Sequence, residues 1–158
     1  KFPISVASIP EPTHIHPPLS TNTPFTEIVD VFSFLGKPVN EVETIIGLPV
    51  RITSNSSEGD ELSGGEFRHY IIGEYSASVA YDKNNIARMF QVKNGLLDKN
   101  YDIAQWEQIL PQFGVYINTL PEHAAPLTVY WGNYNGYFIS VIGNPVWTVQ
   151  VAEAGYHP

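Results

Sequence analysis

The stretch FLGKPVNEVETIIGLPVRI, residues 34–52, writes a very brief helix between two stops. Val39, Val42, Ile45 and Ile46 recur at the spacing that sets them on one helical face. Pro38 or Asn40 stands where a helix begins, and Gly47 with Pro49 ends it. So short a helix is marginal alone, because nucleation fixes several residues for one hydrogen bond. The stretch therefore predicts a helix held in place by packing on something larger.

The runs that follow it read as sheet. FRHYIIG, YSASVAY and IARMFQV have strand length, and Tyr75, Ala77, Val79 and Tyr81 alternate with Ser76, Ser78 and Ala80. DKNN at 82–85 is turn chemistry between the last two runs. TSNSSEGDELSGGE, residues 53–66, reads as a mobile acidic loop.

The same order then recurs. Ile103, Trp106, Ile109 and Leu110 repeat the first apolar stripe 64 residues later, and VETII aligns with WEQIL. Asp102 and Gln105 make a capping box. LTVYW, GYFISVI and VWTVQV follow as strand runs at offsets of 59 or 60, with Gly143-Asn144-Pro145 turning the last pair. The fold class this predicts is α+β: short helices packed on antiparallel sheet, in two diverged helix-plus-meander halves, 24–97 and 98–158.

Upstream, residues 1–23 hold five of the thirteen prolines and read as an extended leader. TPFTEIVDVFSFLG predicts a further helix, with Thr23 as its cap, Gly36 as its stop, and Phe25, Ile28, Val29 and Phe32 on its buried face. Single-domain length, 43% hydrophobic content and 15% charged content describe a chain that folds around a core. Eight basic residues against sixteen acidic give a net charge of −8, which opposes binding to nucleic acid or an anionic membrane. The absence of cysteine excludes disulfides and thiol chemistry. No apolar run approaches the roughly twenty residues of a membrane-spanning helix. The first residue is Lys1 rather than Met, which reads as a processed or truncated chain whose signal peptide or lipid anchor would lie upstream.

LGKPVNEVETIIGLPVRI resembles the repeated signature of the amino-terminal accessory region that precedes a CAP domain in Gram-positive secreted proteins. The matching positions are Gly36, Lys37, Glu41, Val42, Gly47, Pro49 and Arg51, and VAYDKNNIARMF resembles the later strand-turn-strand of such domains. More broadly the pattern is similar to the β-lactamase-inhibitor-protein-like fold, a helical hairpin followed by a small antiparallel sheet, often in tandem. Pro38 replaces the usual Ser or Thr cap, the second half lacks the Gly-Lys start, and no CAP-type His/Glu constellation is present. The resemblance implies an extracellular or cell-surface location and a binding role, and it supplies no catalytic residues.

VYWGNYNGYF, residues 129–138, gathers Tyr130, Trp131, Tyr134 and Tyr137 around Asn and Gly, which suits contact with a protein or with a cell-wall glycan. The same run also reads as a hairpin with alternate residues packed inward. His14 and His16 share one side of an extended segment, but a metal site needs a third ligand from His69, His123 or His157. DKNYD, residues 98–102, imitates a calcium loop, yet Ile103 and Ile109 stand where Gly and Glu are required. Glu58, Asp60, Glu61 and Glu66 sit in a polar loop that cannot hold the fixed geometry of acid–base catalysis. Nucleophile elbows, phosphate loops and zinc-protease motifs are absent. The expectation is a non-catalytic binding domain with no catalytic residues, metal or cofactor. Its partner is a protein or cell-wall glycan, with a carbohydrate module or an inhibitor of an extracellular enzyme as alternatives.

Overall fold

Period-two patterning dominates the chain, and the computed structural model, which describes residues 26–56, 59 and 61–156, is mostly sheet. The strands are β1 (Arg51–Ser54), β2 (Glu66–Ile72), β3 (Tyr75–Tyr81), β4 (Ala87–Asn94), β5 (His123–Ala125), β6 (Thr128–Tyr134), β7 (Tyr137–Gly143) and β8 (Val146–Glu153). They form one eight-stranded antiparallel sheet in the order β1-β2-β3-β4-β8-β7-β6-β5. Each expected strand run coincides with one of these elements to within one residue at its ends, apart from strand extensions beyond the run. Thr53 and Ser54 belong to β1 and Glu66 to β2, so the acidic connection is shorter than its composition suggests.

Two short helices accompany the sheet, and the class is α+β. Helix α1 (Val39–Ile46) begins after Pro38, whose carbonyl accepts from the Glu41 and Val42 amides, and stops at Gly47 with φ +89°. Helix α2 (Trp106–Ile109) is extended by 3-10 turns at Ile103–Gln105 and Leu110–Phe113. The Asp102–Gln105 capping box forms as expected. Among the described residues no helix is long and apolar enough to cross a membrane.

The helices cover one face of the sheet. There Val42, Phe34, Ile109, Leu110 and Phe113 pack on Tyr70, Val79, Phe90, Val149, Val151 and Ile139, all buried in one core cluster. Phe90 sits at its centre, edge-on to Phe34 at 5.8 Å and tilted against Phe113 at 5.9 Å. The stripe of α1 is narrower than its spacing predicts. Val42 is fully buried and Val39 and Ile46 half-buried, but Ile45 is 43% exposed. Polar contact completes the attachment: Arg68 of β2 holds Glu43 of α1 and Glu66 of its own strand.

Over the described residues 26–35 the expected helix does not form; Thr23, Pro24 and Phe25 lie outside the described residues. Only Val31–Ser33 make a 3-10 turn, capped by Asp30, whose carboxylate accepts from the Phe32 amide at 3.0 Å. The amides of Ile28 and Val29 donate instead to the Gln112 carbonyl at 2.8 and 3.3 Å. The segment crosses onto the end of the second helical region, and these non-local bonds replace the ones a helix would have made. Val29, Val31, Phe34 and Leu35 are buried by this route, with Ile28 and Phe32 half-buried.

Candidate functional site

Successive side chains point to opposite faces, so strand register decides what the face away from the helices carries. Following the pairs across the sheet, Arg51 lies beside His69, His69 beside Ser78, and Ser78 beside Gln91. Gln91 lies beside Gln150, Gln150 beside Ser140, Ser140 beside Tyr130, and Tyr130 beside His123. One row of polar or polar-tipped side chains therefore crosses all eight strands. The neighbouring row on the helix side reads Tyr70, Ala77, Val92, Val149, Val141 and Val129, and all of it is buried. One end of the polar face is closed, where Leu62 packs with Ala80, Met89 and Ala152 against Phe67 and Tyr156.

Small residues at the middle of this face leave room. A cavity of about 370 Å³ lies over the β1–β4 half, with Ser76, Ser78 and Gln91 beneath it and Arg51, His69 and Lys93 at its sides. The His69 ring nitrogen Nε2 lies 3.4 Å from Arg51 Nη2 and 3.2 Å from Thr53 Oγ1. A guanidinium can only donate, so Nε2 accepts and the ring is neutral in this arrangement. Burial lowers the His69 pKa, and the positive charges of Arg51 and Lys93 push it further in the same direction. Neither Arg51 nor Lys93 has a carboxylate partner among the described residues, whereas Arg68, Arg88, Lys37 and Lys99 are all ion-paired.

The row also leaves polar atoms unmet. Gln91 Nε2 donates to Gln150 Oε1 at 3.5 Å, a weak contact, and Gln150 Nε2 itself has no partner. Ser140 Oγ is likewise buried without one among the described residues, and Ser140 and Gln150 are each only 2% exposed. Buried polar groups without partners are uncommon in folded proteins and cost stability.

The aromatic cluster expected as a binding surface is divided between the two faces. Trp131 is 2% exposed, edge-on to Trp106 at 4.9 Å, and donates through Nε1 to the Thr119 carbonyl. Tyr134 and Tyr137 share its face and pack against the core, since a bulge at Gly132–Asn133 keeps Tyr134 opposite Tyr137. Asn135 and Gly136, both at positive φ, make the turn. Tyr130 alone points to the polar face, stacked on His123 at 5.1 Å and tilted on Phe138 at 5.7 Å.

His69 on β2 and His123 on β5 stand six strands apart along the row, and His14, His16 and His157 lie outside the described residues. Among the described residues no three His, Asp or Glu side chains converge as metal ligands. Asp102 is occupied as a cap and Glu66 by Arg68; Glu58 and Asp60 lie outside the described residues. Ser78, Ser140, Gln91 and Gln150 were not singled out from sequence. The signal was present as polar residues inside apolar strands, in YSASVAY, MFQV, FISVI and TVQV. The chain matches no protein-family model, no curated protein and no solved structure.

Proposed function

We propose that the protein is a non-catalytic recognition domain that binds a protein partner across the helix-free face of its sheet. The observation that carries this reading is the polar row, with Ser140 Oγ and Gln150 Nε2 buried and unmet in its floor. Two unmet polar atoms are a cost the isolated chain bears, and their place in a polar row on the helix-free face is suited to function rather than packing. The resemblance to accessory regions of Gram-positive secreted proteins and to the β-lactamase-inhibitor-protein-like fold agrees with a binding role at the cell surface or outside the cell. On this reading the first 23 residues serve as a spacer.

We read the chain as two diverged halves meeting at β4 and β8. In support, Ser78 and Ser140 occupy matching strands on either side of that junction, as do Gln91 and Gln150. Strands β2 and β3 start at 66 and 75, and β6 and β7 at 128 and 137, repeating the same interval. A cell-wall glycan is the second reading, favoured by the Tyr130–His123 stack beside the amides of the row.

A photo-crosslinking amino acid at Tyr130 tests the reading, with one at Thr44 on exposed α1 as control. Adducts specific to position 130 identify the partner, and the purified pair must lose binding on Ser140→Arg but not on Thr44→Arg. Equal binding by both variants would refute the assignment of this face.

A further inference from the structure

Resting on that reading, we propose that the cavity between Arg51, His69 and Lys93 receives an acidic side chain of the protein partner, and that its carboxylate orients the complex. The chain carries a net charge of −8, yet this cavity is flanked by two cations with no carboxylate partner among the described residues. Beneath them Ser76, Ser78 and Gln91 offer hydroxyl and amide groups. A carboxylate seated there meets a fork of guanidinium donors, an ammonium and neutral donors.

The surroundings favour a protein side chain over a free anion. Phe67 forms an apolar wall of the cavity, and Ile71, which faces Ser76, is 60% exposed at its rim. The volume of about 370 Å³ also exceeds what one small oxyanion fills, leaving space for a side-chain stem and its neighbours. Unpaired cations beside exposed apolar residues describe a contact that is steered by charge and held by burial.

The experiment uses the full chain and two capped peptides, hexaglutamate and hexaglutamine, with inorganic phosphate as a third probe, measured by calorimetry at low salt. Hexaglutamate is expected to bind, hexaglutamine and phosphate to bind at least tenfold more weakly. The Arg51→Gln, Lys93→Gln double variant is expected to lose roughly tenfold for hexaglutamate, each exposed contact accounting for about threefold. Lys83→Gln, at a lysine outside the cavity with no ion pair among the described residues, controls for the loss of one charge in each single variant, and its loss counted twice controls for the double variant. A double-variant loss no greater than the control's counted twice, or no binding of hexaglutamate at all, overturns the proposal. Phosphate binding as tightly as hexaglutamate would also overturn it, by making this a free-anion site. Because the cross-linking position Tyr130 belongs to the other half of the row, each of these failures leaves the recognition reading to stand or fall on its own test.

Discussion

Replacing Ser140 by Ala is expected to stabilise the free protein. Its hydroxyl is buried on β7 with no hydrogen-bond partner among the described residues, beside Gln150, whose amide nitrogen is unmet among them as well. Leaving a polar group in that state costs about 1–3 kcal/mol of desolvation. Removing the oxygen also gives up some of its dispersion contacts, so the net gain is about 1 kcal/mol. With an m-value of about 2 kcal/mol/M in urea, the unfolding midpoint rises by roughly 0.5 M. The thermal midpoint rises by about 2–4 °C for a domain of this size. Urea titration followed by tryptophan fluorescence reads the change, because Trp106 and Trp131 touch in the core. Ser78→Ala serves as the comparison, since Ser78 is buried but is not among the unmet groups, and it is expected to show no such gain. A midpoint that falls by 0.5 M or more for Ser140→Ala, at unchanged slope, refutes the reasoning, for the hydroxyl would then be bonded in the folded chain. A stabilised variant that binds its partner less well would show that the unmet hydroxyl is kept for recognition.

Other perturbations follow from the same geometry. Trp131→Ala is expected to cost about 3–5 kcal/mol, as for other large core truncations, whereas half-buried Tyr130→Ala costs clearly less; reversed costs by urea titration would contradict the division of faces. Burial would raise the Asp82 carboxyl, but bonds from the Ile86 amide, the Arg88 guanidinium and the Asn84 amide outweigh it and hold its pKa low. Its contribution is therefore complete above about pH 4 and is lost as pH falls through the folded-state pKa, so Asp82→Asn should flatten the acid limb of the stability profile. His69 is lowered too, chiefly by burial, and the charged groups facing it are Arg51 on β1 and Lys93 on β4. Its contribution is complete above about pH 6.5 and declines as pH falls towards the folded-state value; His69→Gln should remove that slope, and an unaltered slope would assign it elsewhere. Hexaglutamate should bind more tightly at pH 5.5 than at pH 7.5, because a seated carboxylate favours the protonated ring; the opposite trend in calorimetry would count against the cavity.

Legibility in the sequence tracked how local each cause was. The strand runs read correctly because alternation is a property of neighbours, and Tyr75, Ala77, Val79 and Tyr81 do face one core. Caps read correctly for the same reason: Gly47 ends α1 and Asp102 with Gln105 starts the second helical region. The segment before Val31 misled because its helical spacing is real, but its amides find the Gln112 carbonyl, more than eighty residues away. Ile45 misled because the spacing gives the stripe but not the width of the surface that receives it. Tyr130 and Trp131 are adjacent in the chain and opposite in space, which the strand demands wherever it forms.

The amino-acid pattern alone determined the class, the strand runs and the turns. Only the folded sheet decided that Arg51, His69, Ser78, Gln91, Gln150, Ser140, Tyr130 and His123 form a single line. Each strand fixes its own two faces, but which residues become neighbours depends on pairing between strands, and β4 meets β8 only after more than fifty residues of intervening chain. That long-range pairing turns scattered serines and glutamines into one continuous polar row.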